Sequence, residues 1–298
     1  MKHKIRRIIS LASVLTIGGC ALGMFAGCTT KHPEVTITYS FNGQNYAVRF
    51  VLSRNDAPQT VQHFLELADA GFYDGMCIHD YQSDMLYSGG YYLDGTKLEE
   101  VDYLTKVKEI EESKSITFTQ SVWTAADKKT PLYTVFGEFE DNAVTTQYSR
   151  ENRHTAGALV MYYTSKGAFN EDVFVERADG GKRNDGVGSE FKPYSKNSAT
   201  SLFYMFTGNS NMMRDRSYCV FGMADEEDYE KQIEKGLLAA IAEYQKDLDE
   251  DKSFTEERTV TINTHDYFVD VASAGEQVTY NTPVDRPITI KSIKVNKY

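Results

Sequence analysis

Two residues with catalytic chemistry stand side by side in the chain, His79 and Asp80, between the turn-rich GFYDGM and a Gly-Gly pair. An imidazole held by a carboxylate can act as a general base, and that is the first reading the pair invites. The stretch from 76 to 93 is strand-like, however, and successive strand residues project to opposite faces. The two side chains therefore cannot serve one substrate as a dyad. His79 reads either as a residue lining a surface groove or as a barrel histidine satisfied by backbone partners, and Asp80 reads as a solvated edge residue. The other histidines, His63, His154 and His265 among them, are scattered, with no i, i+4 pair and no CxxC, so no metal centre and no cofactor are expected. The glycine-rich GGKRNDGVGS at 180–189 lacks the strand-to-helix context and the Gly-Lys-Ser/Thr ending of a phosphate loop, and reads as an inserted loop. Cys77 and Cys219 each lie in an apolar run, which suits a buried free thiol; a disulfide is the alternative that an exported protein allows.

Export is indicated by the N-terminus. A basic Lys2–Arg7 precedes an apolar run with small residues and then the polar TTKHPE, the pattern of a secretory signal over residues 1–27. FAGC at 25–28 is similar to the lipobox of bacterial lipoproteins, in which Cys28 would be diacylated and become the mature N-terminus; IGGC, ending at Cys20, competes with it. An uncleaved anchor is the other option, since Ile8–Gly27 is about 20 residues, enough to span a bilayer. Each option tethers the following domain to a membrane outside the cytoplasm through residues 28–34. The formal net charge is −11, and without the four positive charges of residues 1–27 it is −11 − 4 = −15. Such a surface repels phosphates, so nucleic acid is not an expected partner.

The elements that must position these residues are legible in part. VTITYSF and YAVRFVL alternate apolar and polar residues on either side of Asn42-Gly43, a hairpin signal. DAPQTVQHFLELADAG reads as a helix, with Pro58 in its first turn, an apolar stripe of Val61, Phe64, Leu65 and Ala68, and Gly71 ending it. Strands are expected at 132–139, 157–164, 201–207 and 218–223, then in TVTIN, YFVDV and the closing ITIKSIKV. A second helix is expected over about 225–249. Two segments look inserted, near 94–130 with a partly helical charged run, and near 165–196. Many strands with one early and one late helix favour a closed barrel capped by helices over a βαβ fold.

Taken in order, these residues resemble the cyclophilin-type peptidyl-prolyl isomerases. DAPQTVQHFLELADAGFYDG resembles the D-A-P-x-T-V-x-N-F helix and its G-x-Y-D-G, and His79 followed by Gly89-Gly90 is similar to the F-H-R strand leading to Q-G-G-D. GEFEDN at 137–142, HTAGALVM at 154–161, NSATSLFYMF at 197–206 and VFGM at 220–223 are similar to further motifs of the family, in family order over residues 35–298. The resemblance implies a mostly β domain, a closed antiparallel eight-stranded barrel capped by two helices. It also implies a proline-binding groove on the outer face, and proline-containing peptides or unfolded exported proteins as partners. The family's catalytic arginine falls on Asp80, an acceptor with no donor to offer, while His79 is retained. By the same carry-over the groove would hold Met85, Leu86, Ser88, Leu202, Tyr204, Met213 and Tyr218, with Tyr162 and Tyr163 crowding a neighbouring subsite. Arg214 aligns with the groove's loop and could return the positive charge that position 80 lost. A slow isomerase and a non-catalytic binding module of the same fold are the two functions these residues allow.

Overall fold

The Asn42-Gly43 turn has both residues at positive φ, 48° and 78°, the conformation whose twist matches a two-residue hairpin. It joins β1 (Glu34–Phe41) to β2 (Gln44–Leu52) in an unbroken register from Glu34↔Val51 to Phe41↔Gln44. Val35, Ile37, Tyr39 and Phe41 all turn inward and are at most 1% exposed, each burial worth about 1.5–3 kcal/mol. The computed structural model describes residues 30–119, 135–138, 154–162, 171–176, 189–194, 198–208, 219–249, 252–261 and 277–298. The expected continuous run at 76–93 is cut into β3 (Asp80–Tyr81), β4 (Met85–Ser88) and β5 (Tyr91–Asp94), and β5 pairs with β6 (Lys97–Glu100). Further strands are β7 (Val135–Phe136), β8 (Ala158–Met161), β9 (Glu171–Glu176), β10 (Ser189–Tyr194), β11 (Ser198–Ala199), β12 (Phe203–Phe206) and β13 (Cys219–Ala224). The chain closes with β14 (Glu256–Thr261), β15 (Gln277–Thr282) and β16 (Thr289–Lys297).

Eight strands form one antiparallel sheet in the order β16–β1–β2–β13–β8–β12–β4–β3. The mostly β expectation holds, but the barrel is a curled sheet rather than a closed ladder. β3 is two residues long, cut off where Gln82 and Met85 bond to one another, so it cannot reach β16. The edges meet instead through the segment before β3: Gly75 N–H donates to Ile290 O (2.8 Å), Ile290 N–H to Met76 O (2.7 Å) and Ile78 N–H to Ile288 O (2.8 Å). A single Cys77↔Thr289 bridge completes this seam. The segment read as an inserted loop contains the β9–β10 ladder, Ser189↔Glu176 to Tyr194↔Glu171.

Helix α1 (Pro58–Asp69) buries Val61, Phe64, Leu65 and Ala68 against the interior, as its stripe requires. It has no side-chain cap of its own; the buried Glu138 carboxylate accepts from Gln59 N–H (3.3 Å) and Thr60 N–H (2.8 Å) instead. An anion at a helix N-terminus satisfies open amides and complements the macrodipole. Helix α2 (Tyr103–Lys114) lies in the 94–130 segment, capped by Asp102, and docks on α1 through Tyr103, whose hydroxyl lies 3.2 Å from His63 Nε2. Helix α3 runs from Glu226 to Lys246 with a π-helical stretch, Tyr229–Leu238, at its centre. Cys77 and Cys219 are buried free thiols.

Candidate functional site

The sheet divides its apolar residues between two faces. On the inner face Leu86, Leu159, Met161, Phe203, Met205 and Phe221 belong to the main core with both α1 and α3. On the outer face Ala158, Val160, Tyr204, Phe206 and Val220 form a second cluster, with Met85, Tyr87 and Met223 packed against it. The register explains the grouping, since Tyr204 stands opposite Tyr87 and Val160, and Phe206 opposite Met85. Met85 and Tyr204 are thus brought together, and Tyr162, 37% exposed, stands beside them with its ring 6.3 Å from that of Tyr87. Leu86 and Ser88 point the other way by strand alternation. Leu86 packs in the core and the Ser88 hydroxyl donates to Cys77 O at 3.0 Å. Leu202 joins a third cluster with Cys77, Tyr91, Leu98, Val260 and Tyr280. Arg214, Met213, Tyr218, Tyr163 and Cys28 lie outside the described residues, as does YFVDV.

His79 links the outer and third clusters. Its ring lies 4.5 Å from that of Tyr91, 4.8 Å from Tyr280 and 6.5 Å from Tyr87, and the residue is only 3% exposed. Tyr87 continues the aromatic series to Tyr204 (4.8 Å), which shares a 2.9 Å hydrogen bond with His154 Nε2. His154 in turn packs on Phe206 at 4.3 Å. The histidine is therefore neither open to a solvent-filled groove nor held only by backbone partners; tyrosine faces enclose it.

Asp80 is not the solvated edge residue that its position in the sequence suggests. It is 8% exposed, its Oδ1 accepts the Asn281 N–H at 3.0 Å and its Oδ2 accepts from Gln82 Nε2 at 2.7 Å. Gln82 reaches it from two residues on, and Asn281 reaches it because β15 lies along the edge of β3, where the Thr282 hydroxyl also donates to His79 O at 2.6 Å. Tyr280, Asn281 and Thr282 were not picked out from the sequence. Their signal is the alternation of Val278, Tyr280 and Thr282 just before Pro283.

Buried titratable groups elsewhere hold elements together. His63 Nε2 lies 2.7 Å from Thr200 O, which can only accept, so this nitrogen carries the proton. Burial lowers the His63 pKa to about 4, opposed by that hydrogen bond. Burial likewise raises the Cys77 thiol to about 12. Lys106 donates to Phe72 O (2.6 Å) and to the Tyr92 hydroxyl, with its ammonium 4.8 Å from both ring centroids. Its pKa falls to about 8 through burial, with Asp74 and Glu109 opposing. Among the described residues no group of three or more side chains could hold a metal ion.

The sequence profile of the family described as cyclophilin type peptidyl-prolyl cis-trans isomerase/CLD matches residues 36–263. The chain belongs to this family. No curated protein matches the chain. Among solved structures it is similar to a Cryptosporidium parvum cyclophilin type peptidyl-prolyl cis-trans isomerase, with 15% identity over 90% of this chain and 99% of that one, at a TM-score of 0.38. A second structure of that protein, in the presence of the dipeptide Ala-Pro, gives 15% identity, 89% and 99% coverage and a TM-score of 0.38.

Proposed function

We propose that this is an extracytoplasmic, membrane-anchored cyclophilin that engages prolyl segments of unfolded exported proteins and isomerises them slowly. The observation that carries this reading is the outer aromatic face of β4, β8 and β12, with Met85, Tyr87, Tyr204 and Phe206, beside the retained His79 in a chain of this family. Tyr204 and Phe206 are themselves buried, so the partly exposed Met85 and Tyr87, with the exposed Tyr162 beside them, are the side chains on which the apolar ring of proline can rest. Ala-Pro in the Cryptosporidium parvum relative's structure is in keeping with prolyl ligands here.

Slowness follows from electrostatics. Rotation about the peptide bond faces a barrier of about 18–20 kcal/mol from amide resonance, and a donor aimed at the amide nitrogen lowers it. Asp80 supplies an acceptor, and its two oxygens are already engaged by Asn281 and Gln82. Arg214 is the residue proposed to bring a donor from another loop. A non-catalytic binding module is the second reading, and the engagement of Asp80 by β15 is the observation that favours it.

An isomerisation assay on an Ala-Pro-containing tetrapeptide, with the detergent-solubilised protein, separates the two. A rate above background that collapses in Arg214→Ala supports the rebuilt enzyme. No rate above background, in the presence of measurable peptide binding, leaves the module. The anchor is tested separately by Cys28→Ser, which should abolish incorporation of labelled fatty acid; retained labelling would point to Cys20.

A further inference from the structure

We propose that the β14–β15 hairpin is an internal competitor for the peptide groove at His79, so that a peptide binds only as the hairpin arm leaves. This rests on the peptide-binding reading above and names how that site is regulated. Three consecutive residues of an extended strand address the two residues 79 and 80. The Asn281 amide donates to the Asp80 carboxylate (3.0 Å), the Thr282 hydroxyl to the His79 carbonyl (2.6 Å), and the Tyr280 ring meets the His79 imidazole edge-on at 4.8 Å. Backbone amide, side-chain hydroxyl and ring are the groups by which any extended peptide would be held there. The arm therefore occupies the acceptors and the imidazole face that an incoming strand needs.

The way the hairpin is attached allows it to leave. β15 has a full ladder only with β14, from Glu256↔Thr282 to Thr261↔Gln277. It meets residues 79–91 through the Asn281 amide, the Thr282 hydroxyl and Tyr280, which also packs on Tyr91 at 5.3 Å. β14 is held by Val260 in the third cluster and by Arg258 donating to Thr96 O at 2.7 Å, and none of these contacts is a ladder. Along both arms only Val260 and Thr282 are buried, with Arg258, Val278 and Tyr280 partly so. The root is held differently. Phe254 packs on Phe41 (6.0 Å), Tyr81 (5.1 Å) and Tyr244 (6.1 Å), and Val284 and Ile288 are buried on the return. On the far side of β14 a cleft of about 900 Å³, lined by Leu98, Glu99, Arg258 and Val260 among others, leaves space beside the arm. Anchored ends, arms with mostly exposed residues and no ladder to the main sheet, and adjacent room describe a segment drawn from the low-stability end of the fold.

Linkage makes the proposal testable without altering the protein, because a ligand that needs the arm displaced must itself displace it. Hydrogen exchange at the Asn281 amide reports the arm. Saturating Ala-Pro-containing tetrapeptide should speed that exchange about ten-fold; unchanged or slower exchange at saturation overturns the proposal. In Tyr280→Ala/Thr282→Val, which alters the arm and leaves residues 79–88 intact, the Asn281 amide should exchange fast and peptide affinity should rise about ten-fold. If that variant fails to fold, the isosteric Thr282→Val alone should move both readouts the same way by a smaller factor. A released amide with unchanged, measurable affinity overturns the proposal alone. A released amide with no binding by either protein overturns the peptide-binding reading along with it.

Discussion

Asp80 is buried at the edge of β3, with one carboxylate oxygen accepting from Asn281 N–H and the other from Gln82 Nε2. The residue type alone says that position 80 offers no donor to a prolyl amide. That it also accepts from Asn281 depends on a strand about 200 residues further on. Asp80→Ala should therefore destabilise the fold by about 1–2 kcal/mol, the net worth of the two part-buried hydrogen bonds its carboxylate accepts, as read from urea unfolding. His63 gives a pH dependence whose sign is fixed by its environment. Its folded pKa, about 4, lies below the ordinary 6.5, so between those values the unfolded chain binds the proton that the folded one refuses. The stabilisation is complete above pH 6.5 and is lost as the pH falls through that value toward about 4. Going from pH 7 to 4.5 should cost about 2–3 kcal/mol through this residue. Urea unfolding of the protein and of His63→Gln at both pH values isolates that share; an equal pH dependence in the two would refute it.

Among the elements, the β4–β5 connection and the two inserted pieces matter most. Gly89 is at φ +96°, and a Cβ there would come within 2.2 Å of Ser201 O, while the Ser201 hydroxyl donates to Gly89 O at 2.6 Å. Gly89→Ala should cost at least about 3 kcal/mol and lower the melting temperature by several degrees, since strain and a backbone clash act together. Helix α2 was legible as a charged, partly helical run, because Asp102 and the residues after it follow local rules. Its place against α1 was not, because that depends on Tyr103, whose ring lies 6.5 Å from His63 and 5.7 Å from Phe72. Tyr103→Ala should raise hydrogen exchange across residues 103–114 far more than across β1, whose ladders to β2 and β16 it does not touch.

For the whole molecule, the order of the strands places an aromatic outer face next to a short free edge, and the C-terminal hairpin covers that edge. The π-helical turn of α3 brings Gly236 against Tyr46 of β2, where an added Cβ would lie 2.9 Å from the ring. Gly236→Ala should lower stability by pushing α3 off the sheet, a shift visible in the melting temperature. Local pattern alone determined much of this protein. The β1–β2 hairpin, α1, α3 and the strands β8, β12 and β13 follow from alternation, helical stripes and turn residues within a few positions of each other, and six short matches in order carried the family. The tertiary structure alone decided which side of β4 faces outward, so that Tyr87 rather than Leu86 stands with Tyr204. It alone decided that the barrel seam runs through residues 75–78 and that β15 lies across His79 and Asp80. These are contacts between segments up to about 200 residues apart, set by register and packing, and no spacing along the chain encodes them.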